Sequence, residues 1–290
     1  MITRPDLSLV DRRIVITGAT GGIGRVIAEH LASLGASLAL IARSARDLDR
    51  LLARLPGESH DVVALDVADE RAWARERDRL PKSGRVHGLV TAAALIAPVG
   101  PIGTWDVDAF RRTLDVNVVG TLLAIATTLE ALRETSGSIV TFSGGGATAP
   151  FRRFDAYATS KSAVVRLTEN LALELAGDAI RANSVAPGFV VTPMHDATLS
   201  AGPDTVGHDY FERTRQAAVE GGGDPPELAA ELAAFLLSDA AVGISGKLLS
   251  ARWDPWRDPV FQDRLRHDPD LATIRRIDDQ FFTCRAKGEP

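Results

Sequence analysis

The sequence predicts an α/β protein with a doubly wound parallel sheet in three αβα layers, built as one domain with a C-terminal tail. Three observations point there. Short aliphatic runs are apolar at consecutive positions, as strands buried on both faces require. Amphipathic segments with helical spacing lie between them. A glycine-rich turn joins the first run to the first of those segments.

Six strands are read at residues 14–17, 38–41, 62–65, 88–92, 138–142 and 181–186. Helical spacing is plainest in Ile23, Ile27, Leu31 and Leu34, and again in Val164, Leu167, Leu171 and Leu175. From 187 to 226 the regularity fades among glycines and prolines, which predicts an irregular excursion over the sheet edge. A helix at 226–237 and a strand at 247–249 complete the sheet. The domain is therefore expected to cover 1–250, followed by an extension over 251–290. In that extension Trp253, Trp256, Val260, Phe261, Leu265, Ile274, Ile277 and Phe281 form an apolar stripe. So much apolar area is expected to pack, either across a subunit boundary in a homo-oligomer, a tetramer or a dimer, or back on its own subunit.

Composition excludes several classes. With 45% hydrophobic residues the chain can bury a large core, which rules out wholesale disorder. A net charge of -5 repels phosphate backbones and anionic lipid, so neither a nucleic acid nor a membrane is expected as partner. Cys284 is alone, and no two of the six histidines stand at i, i+4; no disulfide and no metal are expected. The longest nearly apolar run, 31–42, falls short of the roughly 18 residues that cross a bilayer. Asp6 and Asp11 interrupt the start, so no signal peptide is read and a cytoplasmic location is expected.

The turn Thr17-Gly-Ala-Thr-Gly-Gly-Ile-Gly24 ends a strand and opens a helix, where backbone N–H groups and the helix dipole can hold a pyrophosphate. Gly18 permits the tight turn, Gly22 clears the phosphate, and Gly24 lets helix and strand approach. Thr20, Gly21 and Ile23 complete the contact. The glycines satisfy two spacings, 18/22/24 and 18/21/24, so the turn alone leaves two groups of dinucleotide enzymes open. The second strand ends in Arg43-Ser44, where an enzyme for NAD(H) commonly carries a carboxylate against the ribose. A planar guanidinium and a hydroxyl suit a 2′-phosphate, which favours NADP(H), with NAD(H) second; otherwise Arg43 is a solvated loop charge. Asp66, beside Val67, could accept from an adenine amino group or cap a helix starting near Asp69.

Tyr157 and Lys161, at i, i+4, project from one face of a helix. Ser143 ends a strand upstream, and Asn117 lies on another helix. Open α/β sheets hold ligands at the carboxyl ends of their strands, so these groups can converge there.

In order, TGATGGIG at 17–24, LDV at 65–67, NVVG at 117–120, Ser143, YATSK at 157–161 and PGFVVTPM at 187–194 resemble the short-chain dehydrogenase/reductase family over roughly residues 10–250. The set resembles its shorter Rossmann-fold type with a Ser-Tyr-Lys active site rather than the epimerases. The resemblance implies that Tyr157 is the general acid or base and that Lys161 stabilises its phenolate and holds the nicotinamide ribose. Ser143 would bond the substrate oxygen, and Asn117 would hold a water relaying protons to Lys161. Pro187, Gly188, Val190 and Thr192 would shape the nicotinamide side. It further implies an NADP(H)-dependent oxidoreductase, a ketoreductase acting on a carbonyl/secondary alcohol pair in a polar small molecule. Epimerisation or dehydration through a transient keto intermediate, or a non-catalytic cofactor-binding regulator, are the alternatives. One departure stands out: Thr91-Ala-Ala-Ala94 replaces the family's Asn-Asn-Ala-Gly type, removing an amide brace and adding a methyl on the adenosine side. Arg152 and Arg153, between Ser143 and Tyr157, could pair with a substrate anion or be a solvated pair.

Overall fold

Neighbouring apolar residues along each strand face two different cores, which is why the strands read as continuous rather than alternating runs. A computed structural model describes residues 7–76, 80 and 85–276. Its strands are β1 (Arg13–Thr17), β2 (Ser37–Ala42), β3 (Asp61–Ala64), β4 (Gly88–Thr91), β5 (Ser138–Phe142), β6 (Arg181–Ala186) and β7 (Leu248–Ser250). All pair in parallel, in the order β3-β2-β1-β4-β5-β6-β7. The chain winds outward from β1 to β3, then returns to lay β4 on the other side of β1. That reversal opens a crevice at the carboxyl ends of β1 and β4.

On one face, α1 (Gly22–Ser33), α2 (Ala45–Leu52) and a late helix, residues Pro226–Leu237, cover Ile14, Leu38, Val140 and Val185. On the other, α3 (Glu70–Glu76), α4 (Val107–Arg133) and α5 (Asp155–Glu174) cover Val15, Ile41, Leu89 and Ile139. A π-helical stretch, Asp115–Val119, interrupts α4 and carries Asn117 inward. By length and composition α4 could cross a bilayer, which the sequence reading missed. Half of its most apolar window is nevertheless buried, as in a core helix.

The excursion after β6 is helical rather than irregular. It forms α6 (Asp196–Ala201), α7 (Pro203–Val206) and α8 (His208–Glu220), before α9, the late helix already placed. Short helices punctuated by glycine and proline lack the long periodicity that sequence patterns detect. They gather with Ile96 and the stacked rings of Phe151 and Phe154 into a third small apolar cluster. Arg153 ties this layer down by donating to the carbonyls of Asp204 and, at 2.8 Å, Thr205.

The described part of the tail folds back on its own subunit. Trp256 is buried against Phe235 of α9, with ring centroids 5.5 Å apart, and its indole N–H donates to the Ala251 carbonyl at 3.3 Å. Phe261 and Leu265 of α10 (Pro259–His267) join the same core. The chain then crosses the open margin of β7, where Leu248 N–H donates to the Ala272 carbonyl at 2.7 Å. Lys247 Nζ donates to the carbonyls of Asp268 and Leu271 at 2.6 and 3.0 Å. An edge strand with unpaired backbone groups explains this docking. The apolar stripe is split, however: Trp253 and Val260 are 75% and 68% exposed, while Ile277, Phe281 and Cys284 lie outside the described residues.

Trp256→Ala removes a buried indole and is expected to lower unfolding free energy by about 3–5 kcal/mol. Urea denaturation checks this; an unchanged midpoint would mean that the tail adds no stability.

Candidate active site

Lys161 is buried on the second turn of α5, and its Nζ donates to the Phe142 carbonyl at 2.9 Å. Phe142 is the last residue of β5, so this bond fixes the ammonium at the strand's carboxyl end. Ser143 follows, its N–H continuing the ladder to Val185 O at 2.8 Å. Tyr157 lies one turn before Lys161, whose Nζ is 5.7 Å from the phenol ring's centroid. Gly144 fits beneath the phenol: a Cβ there would lie 2.1 Å from the Tyr157 hydroxyl oxygen. Ser143, Tyr157 and Lys161 thus line one cavity at the end of this strand.

Burial governs the electrostatics of this trio. It raises the Tyr157 phenol well above its ordinary value and pulls the Lys161 ammonium down to about 8. Both shifts disfavour an isolated charge, and each would relax if phenolate and ammonium formed together. Burial alone makes Tyr157 a weaker acid, so the adjacent Lys161 ammonium is what would favour the phenolate left after proton transfer to a developing oxyanion.

These groups open into a cavity of ≈ 850 Å³ that runs from the phosphate turn to Trp253. Of the residues singled out in the sequence, Gly18, Thr20, Gly21, Gly22, Ile23, Gly24, Arg43, Asp66, Val67, Ser143, Tyr157, Lys161, Pro187, Gly188, Val190 and Thr192 line it. The glycine turn is close-packed from behind. A Cβ on Gly18 would lie 2.6 Å from Ala93 N, and one on Gly22 would lie 2.4 Å from Thr192 Cγ2. The N-cap of α1, Gly21, offers no side-chain acceptor, and no acidic residue occupies the first turn. Its N–H groups are left to face the cavity, which fits an anion such as a pyrophosphate. Asp66 remains an acceptor there. Burial would raise its carboxyl, but the Ala68 N–H, an ion pair with Arg112 and the nearby Arg43 hold it below its usual value. Asp69, not Asp66, caps α3, accepting from Arg71 and Ala72 N–H groups at 2.9 and 3.1 Å.

Two expected residues are placed elsewhere. Ser44 is off the cavity wall because its hydroxyl caps α2, accepting from Asp47 N–H at 3.2 Å. Arg43 is left as the cation at that end of β2. Asn117 is also off the wall, with its amide engaged throughout. It accepts from Leu95 N–H at 2.7 Å and donates to Leu95 O and Ser160 Oγ at 2.9 and 2.8 Å. Its side chain therefore braces the segment after β4. The buried Thr91 hydroxyl has no hydrogen-bond partner among the described residues. Arg152 and Arg153 do not line the cavity.

Sequence reading missed Arg112, Arg213 and the constraint at Gly144. The first two stand on helices with no local motif, and only the tertiary packing brings them to the cavity. Gly144 could have been suspected from its place after Ser143.

Comparison with known proteins agrees with this geometry. The family described as enoyl-(acyl carrier protein) reductase matches residues 18–251. The dehydrogenase/reductase SDR family member 4 of Bos taurus is 33% identical over 238 residues, 80% of this chain and 83% of that protein. The cis-4-hydroxycyclohexanecarboxylate dehydrogenase of Sinomonas cyclohexanicum is 33% identical over 249 residues, covering 84% and 96%. A solved structure from Beutenbergia cavernae, a candidate NAD(P)-dependent gluconate 5-dehydrogenase with NADP bound at low occupancy, superposes with a TM-score of 0.74. It is 32% identical, over 85% of this chain and 97% of that one.

Gly144→Ala is expected to displace the Tyr157 hydroxyl and cut turnover about 10²-fold. Dinucleotide affinity, followed by fluorescence titration, should be unchanged; equal loss of both would place the defect in folding instead.

Proposed function

The chain belongs to the short-chain dehydrogenase/reductase family and is an oxidoreductase of that family, and on that premise we propose an NADP(H)-dependent ketoreductase acting on a polar small molecule. The observation that carries this reading is the meeting of Ser143, Tyr157 and Lys161 in the same cavity as the uncapped phosphate turn. The glycine turn and the N-terminus of α1 would hold the pyrophosphate, Arg43 the 2′-phosphate and Asp66 the adenine. Lys161 would bind the nicotinamide ribose, and the segment Pro187 to Thr192 would flank the ring. The bound dinucleotide supplies or accepts the hydride.

The chain's own residues do the rest. Ser143 would donate a hydrogen bond to the carbonyl oxygen and orient it. Tyr157 would transfer its proton to that oxygen as negative charge develops, and the Lys161 ammonium would stabilise the phenolate left behind. In the alcohol-oxidising direction the same phenolate is the base. The names of the Sinomonas relative and the Beutenbergia structure support an alcohol/ketone pair on a polar skeleton, and the bound NADP supports the cofactor choice. A homo-oligomer belongs to the same proposal, supported by Val119 and Leu122 standing exposed on α4; light scattering would measure it. A cytoplasmic location accompanies this reading.

Tyr157→Phe is expected to lower kcat by about 10² to 10⁴-fold while NADPH still binds. Near wild-type turnover would sink the mechanism. In the same assay the wild type should show a higher kcat/KM for NADPH than for NADH, and Arg43→Ala should narrow that gap through KM. Equal use of both cofactors by the wild type would remove Arg43 from its assigned role.

A further inference from the structure

Resting on the oxidoreductase reading, we propose that the substrate carries a carboxylate remote from its reacting carbon and that Arg213 binds it. Arg213 and Tyr210 stand three residues apart on α8 and line the cavity beyond Tyr157. Tyr210 packs in the same apolar cluster as Tyr157 and stands edge-on to Phe189, with ring centroids 6.2 Å apart. The guanidinium lies over the Phe189 ring, 4.4 Å from its centroid. Stacking of this kind holds the planar fork in one orientation and leaves its N–H edge free for a bidentate carboxylate.

The charges around this end of the cavity leave the cation unmatched. Among the described residues Arg213 makes no ion pair: on its helix Glu212 pairs with Arg215 at 2.8 Å, Glu220 accepts from Gln216 at 3.0 Å, and Asp209, one turn before Arg213, is exposed. Asp66 lies at the adenosine end with Arg112. Asp224 and Glu220 line an adjoining cavity of ≈ 460 Å³ whose wall Phe189 and Arg213 share; there Asp224 is paired with Arg252 and accepts from Phe189 N–H at 2.7 Å. His195 adds no charge. Burial lowers its pKa, and its Nδ1 accepts from Thr192 N–H at 3.3 Å, leaving Nε2–H as a neutral donor. The substrate end therefore adds the Arg213 guanidinium to the Lys161 ammonium, with neutral donors around them, while Asp66, the acid among this cavity's described lining residues, is paired with Arg112. Arg213 is stacked on Phe189 whereas the proton donor Tyr157 stands on α5, so in the proposed substrate a ring or a chain separates the carboxylate from the carbonyl.

The test compares 4-oxocyclohexanecarboxylate with its carboxamide, which keeps the ring and ketone and removes the charge. The wild type should prefer the acid. Arg213→Gln should raise the acid's KM about 10- to 100-fold, leaving kcat and the carboxamide's KM essentially unchanged. Arg213→Lys should recover part of the loss, and added salt should weaken binding of the acid alone. Reduction of both ketones without preference for the acid, or equal damage to both in Arg213→Gln, overturns the carboxylate assignment and leaves hydride transfer intact. If neither ketone is reduced, the hydride-transfer reading is what fails for them. Calorimetric binding of the acid to the NADPH-loaded wild type, weakened in Arg213→Gln, would then still support the anion site, and its absence would overturn it.

Discussion

A buried ammonium held by a strand-end carbonyl is the constraint on which the site depends. Lys161 Nζ is out of water and bonded to the Phe142 carbonyl, so the first turns of α5 are tied to the carboxyl end of β5. Burial of a charge is unfavourable unless it is hydrogen-bonded and balanced. With its pKa drawn down to about 8, the amine is still largely protonated at neutral pH, but its proton is held less firmly than a surface lysine's. That state suits a group beside a phenol that must alternate between neutral and charged. The same bond also sets the spacing between Tyr157 and Ser143, because the one is fixed to α5 and the other to β5.

The central sheet was legible because its information is local and repeated. Strands read from consecutive apolar residues agree with β1 to β7 to within about a residue, and the helix at 226–237 coincides with α9. The phosphate turn and the Ser143, Tyr157 and Lys161 set were legible for another reason: each lies where a strand ends or a helix begins. Ser44 and Asn117 were harder to place because a hydroxyl and an amide serve equally well as caps and as ligands. Only the three-dimensional neighbours, Asp47 N–H in one case and Leu95 with Ser160 in the other, reveal which use is made.

The part after β6 was hardest to read, since its order comes from contacts between distant segments. Arg153 supports α7 from before α5, and Lys247 gathers carbonyls more than twenty residues further along the chain. Neither leaves a periodic trace. The stripe expected along the tail divides into buried Trp256, Phe261 and Leu265 and outward Trp253 and Val260 because the helix of the tail packs one side against α9.

Phe189 is held by a residue that belongs to neither the hydride-transfer set nor the cofactor turn. Asp224 accepts from its N–H, donates through its own N–H to the Phe189 carbonyl at 2.8 Å, and pairs with Arg252 in the tail. The substrate wall is thus adjusted through the start of α9 and through residues after β7. Selectivity in this fold can consequently drift, or be engineered, by changes at the periphery that leave the proton donor and its ammonium untouched. The tail thereby reaches the substrate wall through Arg252 and Asp224 without touching the proton donor.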